Sequence, residues 1–127
     1  AAHGNGAPDV THFVDAGIPF SLGTDSLGSV ADLSPWAEMR IARALYRGRK
    51  KDGVLCRELF HAATESGAAA LGLPGGILAP GCPADLAVVD DPGGTDDAFF
   101  RNLIERTERG NVRLTVVAGR AAHGAAE

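Results

Sequence analysis

The chain has 127 residues, a mass of 13.0 kDa, a net charge of −4 and a pI near 5.5. It has the size of one average domain and is too acidic for a general electrostatic grip on nucleic acid, so no nucleic-acid partner is expected. Leu, Ile, Val and Phe supply 30 residues, which allows a modest core and argues against intrinsic disorder.

Ala adds 22 positions, and Gly, at 17, is roughly twice its usual share, so many tight turns are expected. No apolar run approaches the roughly 20 residues that cross a bilayer, and no basic-then-apolar leader opens the chain. Cys56 and Cys82 are too few for a disulfide framework and lack CxxC spacing. The expectation is a cytoplasmic chain with no membrane partner. Its Ala start and Gly-rich opening read as a processed or truncated piece.

In chain order, residues 1–8 read as loop. Pro8-Asp9 opens a short helix over Asp9–Ala16, with Val10, Phe13 and Val14 on one side and Gly17 as its stop. Ile18–Leu22 (IPFSL) is a nearly continuous apolar run closed by Gly23, the pattern of a buried strand of a parallel sheet. Residues 23–33 form a polar loop. Ser34-Pro35 is a helix start, with a hydroxyl N-cap and Pro at the first helical position; that helix is expected to run to Tyr46 or Arg47. Further helices are expected over Leu55–Ala63, Ser66–Leu71 and Ala98–Glu108. Leu86–Asp90 and Val112–Ala118 read as strands, and Gly119-Arg120 as a turn into a tail. There is no internal repeat. The element order implies α/β architecture, with antiparallel pairing after Leu73 and a soft boundary between residues 73 and 80.

The sharpest chemical feature is Ile18–Ser29, IPFSLGTDSLGS. A buried strand ending in Gly-Thr-Asp-Ser delivers the Asp25 carboxylate to the end of the sheet that carries catalytic loops in α/β folds. Taken alone, G-T-D-S reads as an Asx or Ser turn whose side chains satisfy backbone N–H groups.

Its neighbours change that reading. Asp9–Gly17 (DVTHFVDAG), Ile18–Ser26 (IPFSLGTDS), Glu38-Met39-Arg40, Ala63–Leu73 (ATESGAAALGL), Gly81–Asp90 (GCPADLAVVD) and Val116–Arg120 (VVAGR) together resemble the C-terminal part of a metal-dependent amidohydrolase. The resemblance is to the branch holding cytosine deaminases, S-adenosylhomocysteine and aminofutalosine deaminases, and chlorohydrolases.

It implies the C-terminal part of a (β/α)8 barrel plus strands of a small composite β-sandwich. Residues 1–75 would hold the eighth barrel strand and following helices, and residues 76–127 the sandwich strands with one intervening helix. It implies a hydrolase of non-peptide C–N bonds that deaminates a nitrogen heterocycle in a small-molecule substrate. Asp25 would be both a metal-site and a catalytic residue beside one divalent ion, zinc or iron, taking a proton from the metal-bound water and passing it to the leaving amine. Ser26 and Ser29 would contact substrate.

The departures are equally informative. The family takes its other ligands from an HxH pair and two later strand-end histidines, whereas His3, His12, His61 and His123 form no such pattern. A catalytic zinc wants three protein ligands, and a full barrel about 250 residues. The expected partner is therefore an upstream barrel segment of the same protein, without which the chain is inactive; a homo-oligomer is left open. The competing reading is a non-catalytic α/β module that associates with a partner chain.

Other features read as structural. His3 lies in a Gly-rich loop, His61 packs on a helix, and His12 and His123 read as surface positions. Cys56 and Cys82 behave as small hydrophobes. Residues 40–51 hold half of the basic side chains, placed to complement a helix C-terminus. Glu38 and Arg40 are candidates to brace the loop carrying Asp25. Gly93-Gly94 lacks the strand-and-helix setting of a phosphate loop.

Overall fold

A computed structural model describes residues 6–28 and 32–124. Five α-helices are seen among them: α1 (Val10–Asp15), α2 (Pro35–Leu45), α3 (Asp52–Ala63), α4 (Glu65–Ala70) and α5 (Asp96–Arg106), with a 3-10 turn at Arg109–Asn111. Three strands complete the described fold: β1 (Leu86–Val89), β2 (Val112–Val117) and β3 (Arg120–His123).

The helix ends follow from local chemistry. Asp9 accepts the His12 N–H at 3.0 Å, and Ser34 accepts the Ala37 N–H at 3.3 Å with Pro35 behind it. Gly17 and Gly72, both at positive φ, close α1 and α4. In each case the glycine N–H and the next N–H return to carbonyls of the last turn, Gly17 to Val14 and Ile18 to Phe13, Gly72 to Ala69 and Leu73 to Ala68.

The buried core draws Val10 and Val14 from α1, Met39 and Ala42 from α2, Leu55, Cys56 and Leu59 from α3, and Ile104 from α5. Thus α5, which follows β1 in the chain, packs back onto α3. Each large side chain buried here contributes about 1.5–3 kcal/mol from removal of apolar surface from water.

The sheet has the order β1-β2-β3, antiparallel throughout, as expected after Leu73. Val88 faces Leu114, and Val117 faces Arg120. Ala118 and Gly119 both have positive φ, the backbone of a two-residue hairpin turn matched to strand twist. The tail read beyond Gly119 is therefore a third strand. Asp85 and Ala84 secure the turn by accepting the Ala118 and Gly119 N–H groups at 2.6 and 3.1 Å.

The strand expected over Ile18–Leu22 is not observed. Among the described residues no strand lies beside it, and extended backbone becomes a strand only by pairing. Its N–H groups turn elsewhere: Ile18 donates to Phe13 and Leu22 to Ala62, at 2.9 and 3.0 Å.

Candidate functional site

Segment 18–28 meets the helical core through its side chains. Phe20 and Leu22 pack against it, and the Phe20 ring lies 6.1 Å from that of Phe13 on α1. Beyond Gly23 the chain leaves the core: Thr24 is half-buried, while Asp25, Ser26 and Leu27 are exposed. Asp25 adopts φ 59°. Asp tolerates this left-handed conformation better than most residues, yet the conformation costs energy, and such outliers gather at functional sites. Asp25 and Ser26 are adjacent on this exposed loop; Ser29 and His3 lie outside the described residues. Asp32 holds the far end of the loop by accepting the Ser34 N–H at 3.0 Å.

Next to the segment lies an open, largely apolar cavity of about 1070 Å³, walled by Leu22, Trp36, Phe60, Leu71, Ile77 and Leu86, among others. Its wall reaches Gly23, two residues before Asp25.

Donor chemistry for a metal is sparse. Among the described residues no three His, Cys, Asp or Glu side chains converge, whereas a catalytic zinc needs three protein ligands and an open position. Asp25 therefore does not make a metal site with the other described residues. His61 pairs through Nδ1 with Glu65 one turn on, at 3.3 Å, and His12 and His123 are exposed on α1 and β3.

Arg40 reaches the end of α5, and among the described residues its side-chain partners do not include the Asp25 loop. Its Nη1 donates to the Ile104 and Thr107 carbonyls at 2.9 and 3.1 Å, and its Nη2 pairs with Glu108 at 3.1 Å. It thus satisfies the last carbonyls of α5, which lack intrahelical partners. Two further basic side chains of the stretch 40–51 are engaged in ion pairs within the chain: Arg43 reaches Asp52 and Glu105, and Lys50 reaches Glu58 at 2.6 Å. Sequence reasoning ended one helix at Ala63 and began the next at Ser66, close to the observed break between α3 and α4, but missed the part Thr64 plays in it. Ala63–Leu73 was read as a family motif, and the signal it carried was a Thr four residues after Phe60, the spacing of a side-chain back-bond.

Comparison with known proteins gives one consistent answer. The sequence profile described as the Amidohydrolase family matches residues 3–122. The chain is 36% identical over 121 residues to a 5-methylthioadenosine/S-adenosylhomocysteine deaminase of Nitratidesulfovibrio vulgaris, covering 91% of this chain and 28% of that protein. It is 33% identical over 88 residues to a 5'-deoxyadenosine deaminase of Methanothermobacter thermautotrophicus, covering 68% of this chain and 21% of that one. In structure it is similar to Helicobacter pylori aminofutalosine deaminase, solved in complex with methylthio-coformycin. There the TM-score is 0.75 at 27% identity, over 91% of this chain and 28% of the other. The chain thus spans less than a third of the relatives it matches. With the profile match running through nearly every residue, this chain belongs to the amidohydrolase family.

Proposed function

We propose that this chain is the C-terminal segment of an amidohydrolase that deaminates a nucleoside-like nitrogen heterocycle in the cytoplasm. In this reading residues 1–75 end a (β/α)8 barrel and residues 76–127 contribute to a small β-sandwich. The observation that carries it is the match to deaminases over nine-tenths of the chain. The chemistry is hydrolytic: water adds to the amine-bearing ring carbon, ammonia leaves, and a carbonyl remains. Asp25 is the proton carrier, accepting a proton from the attacking water and giving it to the departing amine. Its unusual backbone and its place where segment 18–28 leaves the core support that role. Ser26, on the same loop, and Ser29 contact the substrate. Zinc or iron would find its remaining donors in the upstream barrel segment, since the described residues do not form a site for either.

The test is a hybrid in which this chain replaces the matching segment of the Nitratidesulfovibrio vulgaris deaminase. A folded hybrid should release ammonia from 5-methylthioadenosine or S-adenosylhomocysteine, and Asp25→Asn should lower kcat about 10²–10⁴-fold. Full turnover by the Asn variant removes Asp25 from catalysis. A folded hybrid with no turnover favours the non-catalytic module.

A further inference from the structure

The helix that begins at Asp52 breaks at Thr64. This residue has φ −124° and ψ −91°, outside the helical region, and its hydroxyl donates to the Phe60 carbonyl four residues back at 2.8 Å. Such a back-bond competes with the main-chain ladder and bends helices. Main-chain bonding resumes with the Ala68 N–H on the Thr64 carbonyl at 3.0 Å. At the break, the Ala62 carbonyl, which a continuous helix would direct to the Ser66 N–H, accepts the Leu22 N–H at 3.0 Å. Gly76 lies against the same point. A Cβ there would sit 2.7 Å from the Thr64 carbonyl oxygen and from the Glu65 Cα, so the chain crosses the break in close contact.

Leu22 stands three residues before Asp25. Segment 18–22 has no strand pairing among the described residues, so the bond to Ala62 ties its main chain to α3. We propose that Thr64 is a positioning residue: its hydroxyl holds the helix break, the break presents the Ala62 carbonyl to Leu22, and this sets where the Asp25 loop leaves the core. The catalytic consequence rests on the function proposed above; the structural link does not.

Two variants test it. Thr64→Val removes the hydroxyl while keeping the branched shape, and Thr64→Ser keeps the hydroxyl. Amide exchange is read at Leu22 and, as a control on global folding, at Ile104 in α5. Thr64→Val should speed Leu22 exchange about fivefold or more, the loss of roughly one hydrogen bond, with Ile104 unmoved and Thr64→Ser at the wild-type rate. In the hybrid deaminase Thr64→Val should lower kcat at unchanged KM, and Thr64→Ser should restore it. Unchanged Leu22 exchange in the Val variant overturns the proposal; so does equal acceleration in the Ser variant, or acceleration that Ile104 shares. If Leu22 responds but kcat does not, the catalytic positioning is overturned. A hybrid whose Asp25→Asn form turns over normally defeats the functional reading and leaves the Thr64–Leu22 link to the exchange result.

Discussion

Arg43 clasps Asp52 with two parallel hydrogen bonds, Nε to Oδ1 at 2.6 Å and Nη2 to Oδ2 at 2.8 Å. Its remaining nitrogen, Nη1, reaches Glu105 at 2.7 Å. One guanidinium on α2 thereby joins the first turn of α3 to α5. The two carboxylates raise the Arg43 pKa further against a smaller opposing effect of burial, Asp52 most strongly, so the cation is permanent. Arg43→Lys keeps the charge but not the planar fork. We expect it to destabilise the fold by about 1 kcal/mol, a figure reduced for the partly exposed setting, and Arg43→Met to do so by more. Urea unfolding of both variants checks this; a Lys variant as stable as wild type would show that charge alone suffices.

A second ion pair gives a pH prediction. The Arg113 guanidinium donates to both oxygens of Asp90, at 2.7 and 2.6 Å, and Asn111 adds a longer bond. Arg113 first, then Asn111, holds the Asp90 carboxyl below its usual range. A folded-state pKa below the unfolded one means that the pair stabilises the sheet above the unfolded value, near 4, and that this contribution is lost as pH falls through the folded value. NMR titration should show Asp90 protonating later than a free carboxylate on acidification. Arg113→Gln should move its midpoint back up. An unmoved midpoint would mean that the contact is not maintained in solution.

These pairs also show what the sequence could reveal. Helix caps are short-range chemistry, so Asp9, Ser34-Pro35, Gly17 and Gly72 marked their elements within a residue or two. The run Ile18–Leu22 carried the right composition for a strand, but a strand is a property of two segments, and none of the described residues pairs with it. β3 escaped notice for the opposite reason: Arg120–His123 is exposed throughout and has no apolar alternation, its pairing dictated by the turn at Ala118-Gly119. Arg40 and Thr64 act on carbonyls, Ile104 and Thr107 for one and Phe60 for the other. Side-chain type does not announce a main-chain partner 64 residues away. The Asp25 loop was legible because family motifs surround it, whereas its attachment through Leu22 to Ala62 was not.

The two thiols should differ sharply. Cys56 is fully buried on α3, and burial, reinforced by the nearby Asp52, pushes its pKa up to about 11. At neutral pH almost no thiolate forms there, and the thiolate is the reactive species. Cys82 is half-exposed in the turn before β1. A disulfide reagent should therefore titrate one thiol in the folded chain and two in denaturant. Cys82→Ser should abolish the folded-state reaction. Rapid labelling of Cys56 in the folded chain would show that the α2–α3–α5 core opens readily.

The strongest mutational effect is expected at Leu59. Its side chain is completely buried on α3, in the cluster that also holds Met39 and Ile104. Leu59→Ala removes its transfer free energy and leaves a cavity that its helical neighbours only partly fill, a combination that costs about 2–5 kcal/mol. That is a large share of the roughly 5–15 kcal/mol that holds a typical domain folded. Leu71, by contrast, is 75% exposed on the rim of the large cavity, and Leu71→Ala should change stability of the chain by less than about 0.5 kcal/mol. Where the rest of the enzyme covers this rim, the same Leu71 substitution in the hybrid deaminase should cost more. Comparing Leu71→Ala in the two settings separates a cavity that stays wet from one that the rest of the enzyme fills.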